Sequence, residues 1–169
     1  MKRLTLSGVL VAVALILSFM ERFIPLIYFI PIPGLKLGLA NIVTLFALFF
    51  LGSSQAVTIT LLRCLLAAFM FGGMSSLLYS ITGALTALLV MVLMRKGYPK
   101  RLSLIGISIA GAAAHNTGQI AAASFMMKNT AVFAYLPVLL FASLFTGFLT
   151  ALVSVNLFSI IEKTKFAKI

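Results

Sequence analysis

The chain has 169 residues, 63% hydrophobic and 9% charged, with a formal net charge of +11 and a mean hydropathy of +1.23. A soluble domain carries roughly a quarter charged residues, so this composition excludes a solvated globular surface and points to an integral membrane protein rather than a nucleic-acid binder. The single cysteine, Cys64, excludes an internal disulfide and any multi-cysteine metal site.

The first predicted span runs from about Leu4 to Met20. It has the length of a signal peptide, but further spans follow and no small-residue cleavage site leads into a soluble chain. Residues Glu21 to Lys36 contain Pro25, Pro31, Pro33 and Gly34. Their apolar stretch is too short and too proline-broken to cross ~30 Å of hydrocarbon, so it reads as an extracellular loop or a re-entrant piece at the interface. The second span, about Leu37 to Leu51, is short, and Gly52-Ser53-Ser54-Gln55 makes a turn. The third, about Ala56 to Phe71, is ended by Gly72-Gly73, and the fourth covers about Ser75 to Met94. A basic loop follows, residues 95–103, with Gly97 and Pro99 as helix breakers. The fifth span is about Leu104 to Met126, and the sixth, about Val132 to Ile161, is long enough to tilt or to kink near Pro137.

Nine of the thirteen basic residues fall in three clusters: Lys2-Arg3, then Arg95, Lys96, Lys100 and Arg101, then Lys163, Lys165 and Lys168. Six spans with both termini cytoplasmic put all nine inside and leave Arg22, Lys36 and Lys128 outside, as the positive-inside bias requires. The predicted fold is therefore all-α, a single polytopic domain over residues 1–169 with six transmembrane helices in a plasma membrane, and its basic faces meet membrane lipid. Small residues recur at packing spacing: Ser7, Ala14 and Ser18 line one face of the first span with Gly8 and Ala12 beside it, Ser76, Ser80, Gly83 and Ala87 repeat in the fourth, and Ser143 and Gly147 pair in the sixth. Such faces close helix pairs within the bundle or dock a second membrane protein.

The chain contains no aspartate, and its only acids are Glu21 and Glu162, expected on opposite sides of the membrane. That removes a carboxylate cluster for Mg²⁺-diphosphate chemistry and a glycosidase pair. No phosphate loop or ATP-binding motif is present. Neither a cofactor nor a metal is expected. Four polar groups at membrane depth remain. Arg63 lies in the middle of the third span, where a charge costs about 2.5–3.5 kcal/mol and must face the bundle interior or a wet cavity. With no buried acid expected beside it, carbonyls, hydroxyls, water or an anionic ligand would satisfy it. His115 and Gln119 share a face of the fifth span, Asn116 points about 100° away, and their neighbours Gly111, Ala112, Ala113, Ala114 and Gly118 are small. Interhelical hydrogen bonding is the structural alternative to a binding site there. Lys36 and Asn41 lie near the outer face, so an outward cavity collecting Lys36, Asn41, Arg63, His115, Asn116 and Gln119 would suit an anionic or strongly hydrogen-bonding solute, with Phe69, Phe71 and Tyr79 as apolar walls.

The stretches Pro33-Gly34-Leu35-Lys36-Leu37-Gly38-Leu39-Ala40-Asn41-Ile42 and Ala114-His115-Asn116-Thr117-Gly118-Gln119, together with the Arg63 span, resemble the family labelled heptaprenyl diphosphate synthase component I, also called Gx transporter. That family in turn resembles the substrate-binding S-components of energy-coupling factor (ECF) transporters. The resemblance implies a bacterial six-helix protein that binds a micronutrient, or an isoprenoid- or quinone-related solute, from outside. It implies association with a coupling subunit and two ATPases, with Gly8, Ala12, Ala14 and Ser18 docking the coupling subunit. The synthase label implies, as the alternative, a non-catalytic membrane subunit beside a prenyltransferase, because the Asp-rich Mg²⁺ motifs of those enzymes are absent. A lone secondary transporter is a third reading, with His115 as its proton carrier.

Overall fold

The computed structural model describes residues 2–24 and 36–163, with side chains for residues 4–24 and 36–159. Among them are six α-helices: α1 (Lys2–Met20), α2 (Asn41–Phe50), α3 (Ser53–Ala67), α4 (Gly73–Arg95), α5 (Leu104–Met127) and α6 (Leu136–Lys163). Pro25, Pro31, Pro33 and Gly34 of the predicted loop lie outside the described residues, as do Lys165 and Lys168.

Neighbours in sequence are neighbours in space. Helix α4 packs on α5 and α5 on α6, while α1 packs on α3 and α3 on α4. The short α2 touches all five others, and every residue from Asn41 to Leu48 is buried. A helix that is apolar all round belongs at the centre of a bundle, and this one is the central post. It is also shorter than the predicted second span. Gly38 adopts φ +87° and Leu39–Ala40 form a turn, so Leu37–Ala40 lead into the helix rather than extend it. Ten residues rise about 15 Å, half the hydrocarbon thickness.

Gly72-Gly73 ends the third helix as predicted. Ala68–Gly72 widens into a π turn, and Gly73 at φ 75°, ψ 175° breaks the path between α3 and α4. Three helical stretches are long and apolar enough to cross a membrane, namely Leu4–Phe23, Ser53–Arg95 and Thr130–Ser159; the second contains the Gly73 break and so holds two helices. Helix α5, at 24 residues, has the length but is made more polar by His115, Asn116 and Gln119. The predicted kink at Pro137 is absent. A 3₁₀ turn at Thr130–Tyr135 precedes α6, so Pro137 sits in the first helical turn, where its missing N–H leaves no bond unmade.

The molecule is apolar outside and polar within. Ile16, Leu62, Phe69, Leu89, Phe141 and Phe145 are exposed, whereas Thr44, Thr60, Arg63, Ser108, His115, Asn116, Gln119 and Ser154 are buried. A surface of that kind suits lipid as its solvent. Inward hydroxyls and glycines make the close crossings. Thr86 Oγ1 donates to the Ala114 carbonyl across α4–α5 at 3.0 Å, and a β-carbon on Gly118 would lie 3.0 Å from Gly83 Cα. Ser108 Oγ donates to the Gly147 carbonyl across α5–α6 at 2.7 Å. The small faces of α4 and α6 are thus consumed inside the bundle.

Helix α1 divides its small residues. Ala14 and Ser18 are fully buried, while Gly8 and Ala12 face outward and a β-carbon on Gly8 would meet nothing within 4 Å. Of the four small residues of α1, Gly8 and Ala12 thus stay on the outer surface, while Ala14 and Ser18 are turned inward, away from Ala12.

Candidate functional site

The polar centre is built on residues 36–41, the entry to α2. Three helices hold this segment. Gln119 of α5 pairs with the Lys36 backbone in both directions: Lys36 N–H donates to Gln119 Oε1 at 2.9 Å, and Gln119 Nε2 donates to the Lys36 carbonyl at 2.7 Å. Lys36 Nζ donates to Ser80 Oγ of α4 at 3.2 Å. The Leu39 N–H donates to Glu21 Oε1, just beyond α1. Glycine is required twice here. A β-carbon on Gly38 would sit 2.8 Å from Asn41 Nδ2 and from His115 Cδ2, on a backbone that side chains rarely adopt. A β-carbon on Gly83 would sit 2.8 Å from Gln119 Cγ and 3.0 Å from His115 Cε1.

Lys36, Asn41, Arg63, His115 and Gln119 therefore meet in one place. Arg63 Nη2 of α3 donates to Asn41 Oδ1 at 3.4 Å, and Asn41 Nδ2 and His115 Nε2 both face the space above Gly38. Asn116 belongs elsewhere: its Nδ2 donates to the Leu139 carbonyl at 2.9 Å, which ties α5 to α6. Of the predicted walls, Tyr79 is buried but packs with Ile120, Ala123, Val132 and Leu139. Phe69 is exposed. Phe71 meets Phe19 edge-on and lies under Arg22.

Glu21 was not expected here. Its side chain is buried and feels the positive charges of both Arg63 and Lys36. The expectation that no buried acid accompanies Arg63 is thus overturned. The turn Glu21–Phe23 carries the chain on past α1, and Glu21 falls on the inner face set by Ala14 and Ser18 instead of at the membrane surface. Burial pushes the Lys36 ammonium below the ordinary lysine range, and the Glu21 carboxylate draws it part-way back. The formal charges of Lys36, Arg63 and Glu21 sum to +1, with His115 counted as neutral.

Among the described residues, several atoms at this centre are buried and lack a hydrogen-bond partner: Asn41 Nδ2, Arg63 Nε and both ring nitrogens of His115. A neutral imidazole offers one donor and one acceptor, and the Gly83 backbone lies beside the His115 ring, so the Asn41 and Arg63 donors and one imidazole acceptor stand open. Each buried group left so costs about 1–3 kcal/mol. Such an arrangement is chemically suited to an acceptor-rich, singly negative group. Among the described residues no group of three His, Cys, Asp or Glu side chains is placed to hold a metal ion.

Fold and centre together define an all-helical protein with a lipid-suited exterior and a polar, partly unsatisfied interior gathered under the entry to its central helix. The chain belongs to the family described as Heptaprenyl diphosphate synthase component I, whose sequence model matches residues 10–157. No match was found among curated proteins or among solved structures.

Proposed function

We propose that this protein is a multi-pass plasma-membrane protein with six helices and both termini cytoplasmic, and that it binds a small solute beneath residues 36–41. The open polar atoms of Asn41, Arg63 and His115 carry this reading. A net charge of +1 favours a carboxylate or another single negative charge over a diphosphate. Lys36 and Gln119 hold the loop that covers the solute, Arg63 and His115 contact it, and Asn116 supports α5 from the far side. The chain has no ATP-binding motif, so active uptake in the manner of an S-component requires a coupling subunit and ATPases from other chains.

The family description favours a second reading, a membrane component of heptaprenyl diphosphate synthase. Since no aspartate is present, the Mg²⁺-dependent step would belong to a partner, and this chain would hold that partner at the membrane.

Purification of the full chain from its native host in mild detergent, followed by mass spectrometry, separates the two. Transport predicts a membrane coupling subunit with ATPases, or a retained small metabolite that Arg63→Ala releases without unfolding the protein. A stoichiometric soluble prenyltransferase, with no ATPase and no metabolite, would replace the first reading with the second.

A further inference from the structure

At the opposite end of the bundle, two adjacent cavities open beside the α4–α5 loop. One, of about 500 Å³, is walled by Tyr98, Pro99, Leu102, Leu104, Val155 and Phe158. The other, of about 520 Å³, shares Tyr98 and Pro99 and is lined by Lys96, Lys100 and Arg101. No carboxylate lines either one among the described residues. Gln119 lies fifteen residues along α5 from Leu104, about 22 Å away by helical rise, so these cavities are separate from the solute site.

The loop is built rather than loose. Arg101 N–H and Leu102 N–H both donate to the Gly97 carbonyl, at 2.8 and 3.2 Å. Aromatic rings form its floor: Tyr98 meets Phe49 edge-on at 5.1 Å, Phe49 lies 5.9 Å from Phe158, and Arg95 sits over Phe49 at 5.3 Å. Three cations therefore project beside an apolar groove that runs between the start of α5 and the last turns of α6. A ligand that satisfies both halves carries a phosphate at one end and a hydrocarbon chain at the other.

We infer that this groove binds an anionic phospholipid, with the head-group phosphate on Lys96, Lys100 and Arg101 and one acyl chain along Leu104, Val155 and Phe158. The inference rests on the membrane reading above, because the groove must lie at the bilayer interface. Three cations within reach of one head group favour an anionic lipid over a zwitterionic one by an order of magnitude or more.

The test uses the full chain, delipidated in mild detergent, and native mass spectrometry with phosphatidylglycerol or phosphatidylcholine of identical acyl chains. Phosphatidylglycerol should bind on the order of tenfold more tightly. The preference should disappear in the triple variant Lys96→Gln, Lys100→Gln, Arg101→Gln. Ser159→Trp, which fills the groove from its exposed rim and keeps every charge, should weaken phosphatidylglycerol binding several-fold. Equal binding of the two lipids, or a preference that survives the triple variant, would overturn the inference. Displacement by millimolar inorganic phosphate would replace the lipid with a free phosphate as the occupant. A chain that stays soluble and monodisperse after detergent removal would refute the membrane reading instead, so the two failures are distinguishable.

Discussion

Gln119→Leu removes the two-way pairing that holds residue 36 while keeping a side chain of similar bulk. The pairing consists of one bond accepted at 2.9 Å and one donated at 2.7 Å. Each contributes about 1 kcal/mol net in a folded protein. Their joint loss lowers the free energy of local opening at Lys36 by about 2 kcal/mol, or roughly 30-fold in the opening equilibrium. Lys36 is only half-buried, so water partly replaces the lost partners and global stability falls by less than this. The assay is amide hydrogen exchange on the full chain in detergent, read at residue 36 and compared with residue 39, which Glu21 holds independently. Exchange should rise about 30-fold at Lys36 and much less at Leu39. Thr117→Ala is the control, because Thr117 is exposed and bonds only within its own helix. Unchanged exchange at Lys36 in the Gln119 variant would refute the claim that α5 clamps the loop.

Gly118→Ala places a β-carbon 2.3 Å from Thr86 Oγ1 and 3.0 Å from Gly83 Cα, and should cost about 1–3 kcal/mol by overpacking α4 against α5. Gly8→Ala, with nothing within 4 Å, should leave thermal unfolding in detergent unchanged or slightly raised, and equal losses at the two sites would contradict the packing described. Glu21→Gln should destabilise by about 1–3 kcal/mol, since it removes the charged acceptor of the Leu39 N–H and the negative charge near buried Arg63. In a double-mutant cycle with Arg63→Gln the losses should be clearly less than additive, whereas additive losses would show that the two charges do not share one centre.

Much of this arrangement was legible in the residues. The 3.6-residue period places His115 and Gln119 on one face and turns Asn116 aside, and the structure uses that difference, sending the first two to the α2 entry and Asn116 to Leu139. The Gly72-Gly73 stop and the basic loop at residues 95–103 also follow directly from composition. Glu21 was not legible. A lone acid at the end of an apolar helix reads as an interfacial residue, and only the return of residues 36–39 against α1 encloses it. The split of the α1 face was legible: at 100° per residue Ala14 and Ser18 share one face, and Gly8 and Ala12 lie beside it. The short α2 was not, because a run of apolar residues from Leu37 onward gives no sign that Gly38 takes a positive φ.

The location of the unsatisfied atoms favours the proposed binding centre over a merely polar core. Inward hydroxyls of α6 are satisfied by their own helix: Thr146 donates to the Ala142 carbonyl, Thr150 to that of Thr146, and Ser143 to that of Leu140, while Ser18 Oγ on α1 and Asn116 Oδ1 on α5 stay open away from the centre among the described residues. The fold thus has an available means of pairing buried donors, and it applies that means along the whole of α6 except at Ser154. Asn41, Arg63 and His115 are amide, guanidinium and imidazole groups that cannot turn back on the preceding helical turn in that way. They come from three different helices, and Asn41 Nδ2 and His115 Nε2 close on Gly38, where only a glycine permits their approach. A structural core of this size would be more stable with apolar residues of equal volume at these positions. Their presence together, beside a carboxylate, is what the proposed site needs when its last partner arrives as a ligand.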